Sequence, residues 1–432
     1  MKVEPALQVS PLTPVTPLRV RQLLAYGLFG LPLALVALPL YVYVPQLYAQ
    51  RFGLSLSVIG TLLLMARMAD AFFDPAIGCW IDQARGSRSD AQAIVLGLPM
   101  LAAGFVALFL PPSLAAANPI AWFMAALVLT YGGFSLTSIA HQSWGASLTQ
   151  LPGERTKITA TREACGLAGI LLAAFIQQAL NLSWLTGVFL VTLTLTAILL
   201  LTSAPPARRL STSMEQARTS VIASLALPFR HARFRWLFGV FLVNGIAAAI
   251  PATLFLFFAQ DCLQLGHLSA AFLLLYFLAA AVSMPLWVKA ARAMGEARAW
   301  LLAMLLSVGA FVWAYWLAPG AAVGFGTICV LSGLSLGADL ALPGALLAGV
   351  IGNAGHSGQR EGAYFGVWNW GTKMNLALAA GIALPLLEYL DYVPGAANTA
   401  GLEGLRIAYA LLPCGLKLAA AALLARAPLR HL

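Results

Sequence analysis

Charge is what this sequence has least of. Of its 432 residues only 9% are Asp, Glu, Lys or Arg, whereas 61% are hydrophobic. A soluble globular chain draws about a quarter of its residues from the charged set. So few charges could not cover so much apolar surface, which excludes a soluble protein and leaves a polytopic membrane protein. Cysteine is also sparse. Cys79, Cys165, Cys262, Cys329 and Cys414 stand singly, with no CxxC and no ligand-like spacing. This pattern excludes a disulfide framework and a structural metal, and the cysteines read as small packing residues. Missing too are HExxH and any Ser or Cys beside a His–acid pair, so the chain has no metalloprotease signature and no nucleophile–base constellation. The net charge of +10 does not point to nucleic acid, because the bases lie in short loops between apolar runs.

What the sequence has instead is long apolar runs. A membrane-spanning helix needs about 20 apolar residues. On that template twelve spans are predicted: 23–48, 57–81, 92–110, 119–148, 164–182, 184–203, 236–258, 268–288, 299–318, 322–349, 362–387 and 404–425. The first run is too long for the apolar stretch of a signal peptide, about 7–15 residues, and is expected to be retained. Residues 204–235 form the only long polar connection and hold Arg208, Arg209, Arg218, Arg230, Arg233 and Arg235. The expected organisation is a tail (1–22), a six-helix bundle (23–203), a linker (204–235), a second six-helix bundle (236–425) and a tail (426–432).

Lys and Arg set the orientation. One alternate set of connections holds 20 of them and the opposite set only Arg51 and Arg406; Arg67, Lys373 and Lys417 lie within spans. Both termini and the linker are therefore expected in the cytoplasm. A faint echo links the end of span 2, from Pro75, to the end of span 8, from Pro285. The fold class predicted is an all-α membrane protein of twelve transmembrane helices in two pseudo-symmetric halves. Such repeats place a substrate site near the midplane between them.

Met65–Asp90 concentrates the costliest residues. Arg67, Asp70 and Asp74 lie inside span 2, and ionisable groups at that depth point to function first. Asp70 and Asp74 are four apart and share a helix face, with Arg67 three residues before Asp70. Two carboxylates this close cannot both ionise cheaply in a low dielectric. One must be protonated, take a cation or pair with a base. Such a pair serves either as a coupling site, whose charge differs between loaded and empty states, or as a permanently neutralised ion cluster. Lys373 lies deep in span 11 among Trp368, Asn369, Trp370 and Asn375. Span 4 offers Ser135, Ser138, His141, Gln142 and Trp144; His141 is either a relay or hydrogen-bond donor, or a satisfied core histidine. Asp339 in span 10 and Lys417 in span 12 are expected to form a structural pair, and Asn244 in span 7 is a weaker cavity candidate.

RMADAFFDPAIGCWID in span 2, GERTKITATR after span 4 and REGAYFGVWNWGTK into span 11 resemble the glycoside–pentoside–hexuronide:cation symporter family. This family is a branch of the major facilitator superfamily, and the similarity runs through nearly the whole chain. Gly78, Asp82 and Arg88 also resemble the superfamily's cytoplasmic loop motif. The resemblance implies that Asp70 and Asp74 bind the coupling H⁺ or Na⁺. It implies that Lys373 is their charge partner beside Arg67, and that Arg162 lies near the sugar. Two acids of the family's melibiose carriers are missing. Leu33–Ala34 stands where the span 1 aspartate would be, and span 4 has only Ser, Thr, His and Gln. A galactoside therefore fits poorly, and the loss of hard oxygen ligands favours a proton over sodium.

The expectation is a cation-coupled symporter of a sugar or glycoside-like solute, multi-pass in the inner membrane. It is expected to be monomeric, with no cofactor beyond the coupling ion and no nucleic-acid partner. Its cavity candidates are His141, Gln142, Trp144, Arg162, Asn244, Trp368, Asn369 and Trp370. A transporter of lysophospholipid or another amphiphile on the same fold is the alternative.

Overall fold

The structure, a computed structural model, describes residues 18–83, 89–149, 151–179, 182–207, 221–392 and 399–429. Arg88 of the loop motif lies outside them. Among the described residues there are helices and turns and no strand. In chain order the α-helices are α1 (Val20–Gly27), α2 (Gly30–Phe52), α3 (Leu56–Gln83), α4 (Ser89–Phe109), α5 (Pro119–Ser147), α6 (Pro152–Ala179), α7 (Leu182–Ser203) and α8 (Val221–Arg230). There follow α9 (Ala232–Phe257), α10 (Ser269–Met294), α11 (Glu296–Phe311), α12 (Ala322–Asn353), α13 (Glu361–Tyr389), α14 (Thr399–Arg406) and α15 (Leu412–Arg426). A π turn, Phe258–Cys262, extends α9, and another, Ile407–Leu411, joins α14 to α15.

Each predicted span falls on a helix. Among the described residues, eight helical segments are long and apolar enough to cross a membrane: α4, α5, α7, α9 with its π turn, α10, α11, α12 and the α14–α15 rod. The helices α3, α6 and α13 are 28, 28 and 29 residues long but carry the ionisable side chains that lower their apolarity.

Several boundaries differ from the sequence reading. The helix of the fifth predicted span, α6, begins at Pro152 rather than at 164, because GERTKITATR is helical. Its polar groups are matched locally: Thr159 and Thr161 hydroxyls donate to the carbonyls of Arg155 and Lys157, one turn back, at 3.2 and 2.8 Å. The later part of the predicted linker is helical: α8 lies within it, and α9 begins at Ala232 rather than at 236. The first span is broken at residues 28–29.

Packing relies on small residues, as expected where lipid removes the hydrophobic drive between helices. The helices α4 and α5 meet where Gly97 faces Thr137 and Gly133 faces the Leu101 backbone. Contacts between early and late helices fix the molecule's centre: α3 and α5 pack on α13, while α6 packs on α10 and α12.

Candidate functional site

The centre of the molecule is a charge cluster at the α3–α5–α13 junction. The Lys373 ammonium on α13 reaches both carboxylates of α3, pairing with Asp70 and, at 2.7 Å, with Asp74 Oδ2. It also donates to Ser135 Oγ on α5 at 3.0 Å, and Ser135 in turn donates to Asp70 Oδ1 at 2.7 Å. Asp74 is fully buried, and among the described residues neither of its oxygens accepts a well-directed hydrogen bond. One amine thus faces two carboxyl groups. Pro75, next to Asp74, cannot donate to the carbonyl of Ala71 four residues back, so α3 loses a helical bond at the site. Arg67 stands one turn before Asp70 and is half-buried.

Two polar ladders run from this cluster toward one end of the bundle. On α5, Ser135, Ser138 and Gln142 share a face; on α13, Lys373 and Asn369 do. The ladders are joined twice, by the Lys373–Ser135 bond and by Gln142 Nε2 donating to Asn369 Oδ1 at 3.2 Å. Gln142 also donates to Ser138 at 3.0 Å. Beside them a small cavity is lined by Tyr26, Gln142, Thr159, Arg162, Gly344 and Phe365, among others. Arg162 pairs there with its neighbour Glu163, an acid the sequence reading did not single out.

Below the cavity the bundle is shut. Gly78 of α3 meets Gly362 of α13 so closely that a Cβ on either would collide with the other's carbonyl oxygen. Asp82 seals this crossing. Its two carboxylate oxygens accept from the backbone N–H groups of Gly362 and Ala363 at 2.8 and 2.7 Å, capping the first turn of α13 where the helix dipole favours an anion. A second fastening joins α6 to α10 and α11. Thr156 donates to Glu296 at 2.8 Å, Arg155 lies 3.6 Å from the same carboxylate, and Arg292 donates to Glu154 at 3.0 Å. Arg155, expected in a loop, is instead a buried helical residue.

Several cavity candidates are placed elsewhere. His141 is 1% exposed and ties α5 to the broken first helix: its Nε2 lies 2.9 Å from the Tyr26 carbonyl, while the Tyr26 hydroxyl donates to the His141 carbonyl at 3.0 Å. The break after Gly27 frees that carbonyl from its helical partner, and since a carbonyl only accepts, the proton sits on Nε2. Trp144 donates to the Pro205 carbonyl at 2.8 Å, away from the cavity. Trp368 stacks on Phe241 with ring centroids 3.7 Å apart, and Trp370 lies parallel to Phe238, so both serve the α9–α13 contact. Asn244 is buried and donates to Asp339 at 3.2 Å. Asp339 also receives Trp300 Nε1 at 2.8 Å and the Lys417 ammonium at 2.6 Å, forming the expected pair inside the later helices. Of the eight cavity candidates, Gln142, Arg162 and Asn369 come together.

The described helices pack around a buried acid–lysine cluster and are closed on one side by glycine and carboxylate clasps. The fold has solved counterparts. The crystal structure of the E. coli fucose:proton symporter superposes with a TM-score of 0.68 at 14% identity, covering 93% of this chain and 97% of that one. A family model for MFS/sugar transport proteins matches residues 24–431, and the chain belongs to that family. It is thus a multi-pass transporter and not an enzyme. Two similar proteins are the isoprimeverose transporter of Lactiplantibacillus pentosus, 29% identical over 140 residues, and an uncharacterized symporter of Bacillus subtilis, 24% identical over 136. These matches cover 32% and 31% of this chain and span 29% and 30% of the relatives' lengths.

Proposed function

We propose that this protein is a proton-coupled symporter that carries a small sugar or glycoside across the inner membrane by alternating access. In this reading it has twelve spans, both termini in the cytoplasm, a six-helix bundle on either side of the 204–235 linker, no cofactor beyond the coupling ion, and a monomeric working unit. The observation that carries it is Lys373 bridging Asp70 and Asp74 across two helices that must separate if the two bundles rock.

One ammonium serves two buried carboxylates, so protonating one of them restores balance and loosens Lys373. A proton fits better than sodium because, among the described residues, the neutral oxygen bonded to the carboxylates is that of Ser135, and Na⁺ is a hard cation that needs several such ligands. Release of Lys373 also frees Ser135, the first rung of the α5 ladder, while Gln142 and Asn369 exchange their mutual bond for cargo hydroxyls. Gln142 and Arg162 in the cavity lining, with Asn369 bonded to Gln142, support a sugar over an amphiphile. One charge moved down 100 mV supplies about 2.3 kcal/mol, enough for roughly fiftyfold accumulation of a neutral cargo at 1.4 kcal/mol per tenfold.

The test is an uptake screen in proteoliposomes over pentosides, hexosides, uronides and lysolipids, with a pH or Na⁺ gradient imposed. Sugar accumulation driven by the pH gradient is expected. Accumulation that follows Na⁺ alone, or lysolipid movement without sugar uptake, would overturn the reading.

A further inference from the structure

Arg162 and Glu163 are adjacent on α6, where successive side chains point about 100° apart and do not face each other. They nevertheless meet: the guanidinium donates to Glu163 Oε1 from Nη2 and, at 3.1 Å, from Nε. Both side chains have turned toward the other, and both keep contact with open space, at 15% and 26% exposure. Position explains where they lie. Thr159, one turn before Glu163, packs against Gly344 of α12, and Leu167, one turn after it, packs with Ala280, Met284 and Ala341. Arg162 lines the cavity that Gln142 also lines. Both guanidinium bonds fall on Oε1, so Arg162 leaves Glu163 Oε2 unused.

We propose that Glu163 is a specificity residue that sets the cargo as a neutral sugar rather than a sugar acid; this rests on the sugar-transport reading above. Glu163 neutralises Arg162 in place and adds an acceptor oxygen next to the guanidinium donors. Donor beside acceptor is the complement of a hydroxyl, which both gives and takes a hydrogen bond. A uronate carboxylate only accepts. It would meet a guanidinium whose charge is already matched, and it would face Glu163 Oε2 across a low dielectric, where like charges repel. The acid that the sequence lacks in spans 1 and 4 is supplied from α6.

The test is calorimetric titration of the purified full-length protein with matched probes: glucose against glucuronate, galactose against galacturonate, and methyl xyloside as a pentoside. The wild type is expected to bind the neutral member of a pair at least tenfold more tightly. Glu163→Gln leaves Arg162 unmatched and should strengthen uronate binding about tenfold or more, while Glu163→Asp keeps the wild-type order. The double variant Arg162→Gln with Glu163→Gln removes both charges, guards against misfolding of the single variant, and should show no uronate gain. A wild type that prefers uronates, a Glu163→Gln ratio equal to wild type, or the same uronate gain in the double variant would each overturn the assignment while leaving sugar transport intact. No binding of any probe by wild type or variants, together with no sugar uptake in the screen, would overturn the sugar reading and this inference with it.

Discussion

Lys373 is the side chain on which the proposed cycle turns, since it holds Asp70, Asp74 and Ser135 together. Replacing Lys373 with Ala should leave two carboxylates without their ammonium, so that one stays protonated. The expected result is sugar exchange that persists while accumulation driven by a pH gradient is lost, read by counterflow and uptake in the same vesicles. The buried pair of Asp339 and Lys417 should behave differently. Its carboxylate also accepts from Trp300 and Asn244. Removing one partner, as in Lys417→Ala, should cost about 3–5 kcal/mol and lower the melting temperature in detergent. Replacing both with apolar residues of similar volume should recover most of that loss. The ionisable residues were legible in the sequence because a charge inside an apolar run has few reasons to be there. Glu163 was not, because it lay in a stretch that read as a polar loop. His141, Trp368 and Trp370 were read as cavity groups because sequence spacing gives a helix face without saying which neighbour covers it.

At the scale of elements, closure depends on α3 crossing α13 and on the connection that precedes α13. A side chain at Gly78 would have to displace the Gly362 backbone. Gly78→Leu should hold this end open, raising labelling of cysteines introduced on its cytoplasmic side by at least severalfold. The connection 354–360 carries a titratable latch. His356 Nδ1 lies 3.0 Å from the Tyr364 hydroxyl, and its ring meets His231 edge-on at 4.9 Å. Burial, then the neighbouring His231 and Arg360, hold its pKa below the ordinary histidine value. A depressed pKa means that His356 is neutral in the closed form. Its contribution is present above about pH 6.5 and is lost as pH falls through the lowered value. Closure should therefore weaken on acidification of this face, and His356→Gln should flatten that dependence in the same labelling assay; an unchanged pH profile would contradict it. The helices were legible as apolar runs, but the start of α6 was not. Its first ten residues are mostly polar, and they are helical because threonine hydroxyls bond back to their own turn and Glu154 and Arg155 find partners on α10 and α11.

At the scale of the whole molecule, the excess of Lys and Arg in alternate connections orients the bundle in the proposal, and the shut end is the one those connections share. The proposed state is therefore closed to the cytoplasm, with Asp70, Asp74 and Lys373 above the closure and Gln142, Asn369 and Arg162 at its floor. Coupling in this arrangement is one local event, neutralisation of a buried carboxylate, passed along two ladders to the cargo. The measurement that tests this most directly is proton movement itself. Sugar added to lightly buffered vesicles holding the protein should alkalinise the medium, one proton per sugar carried, and Asp70→Asn and Asp74→Asn should abolish that signal while sugar binding persists. Sugar uptake without a pH change in the wild type, or an undiminished pH change in both variants, would contradict the account.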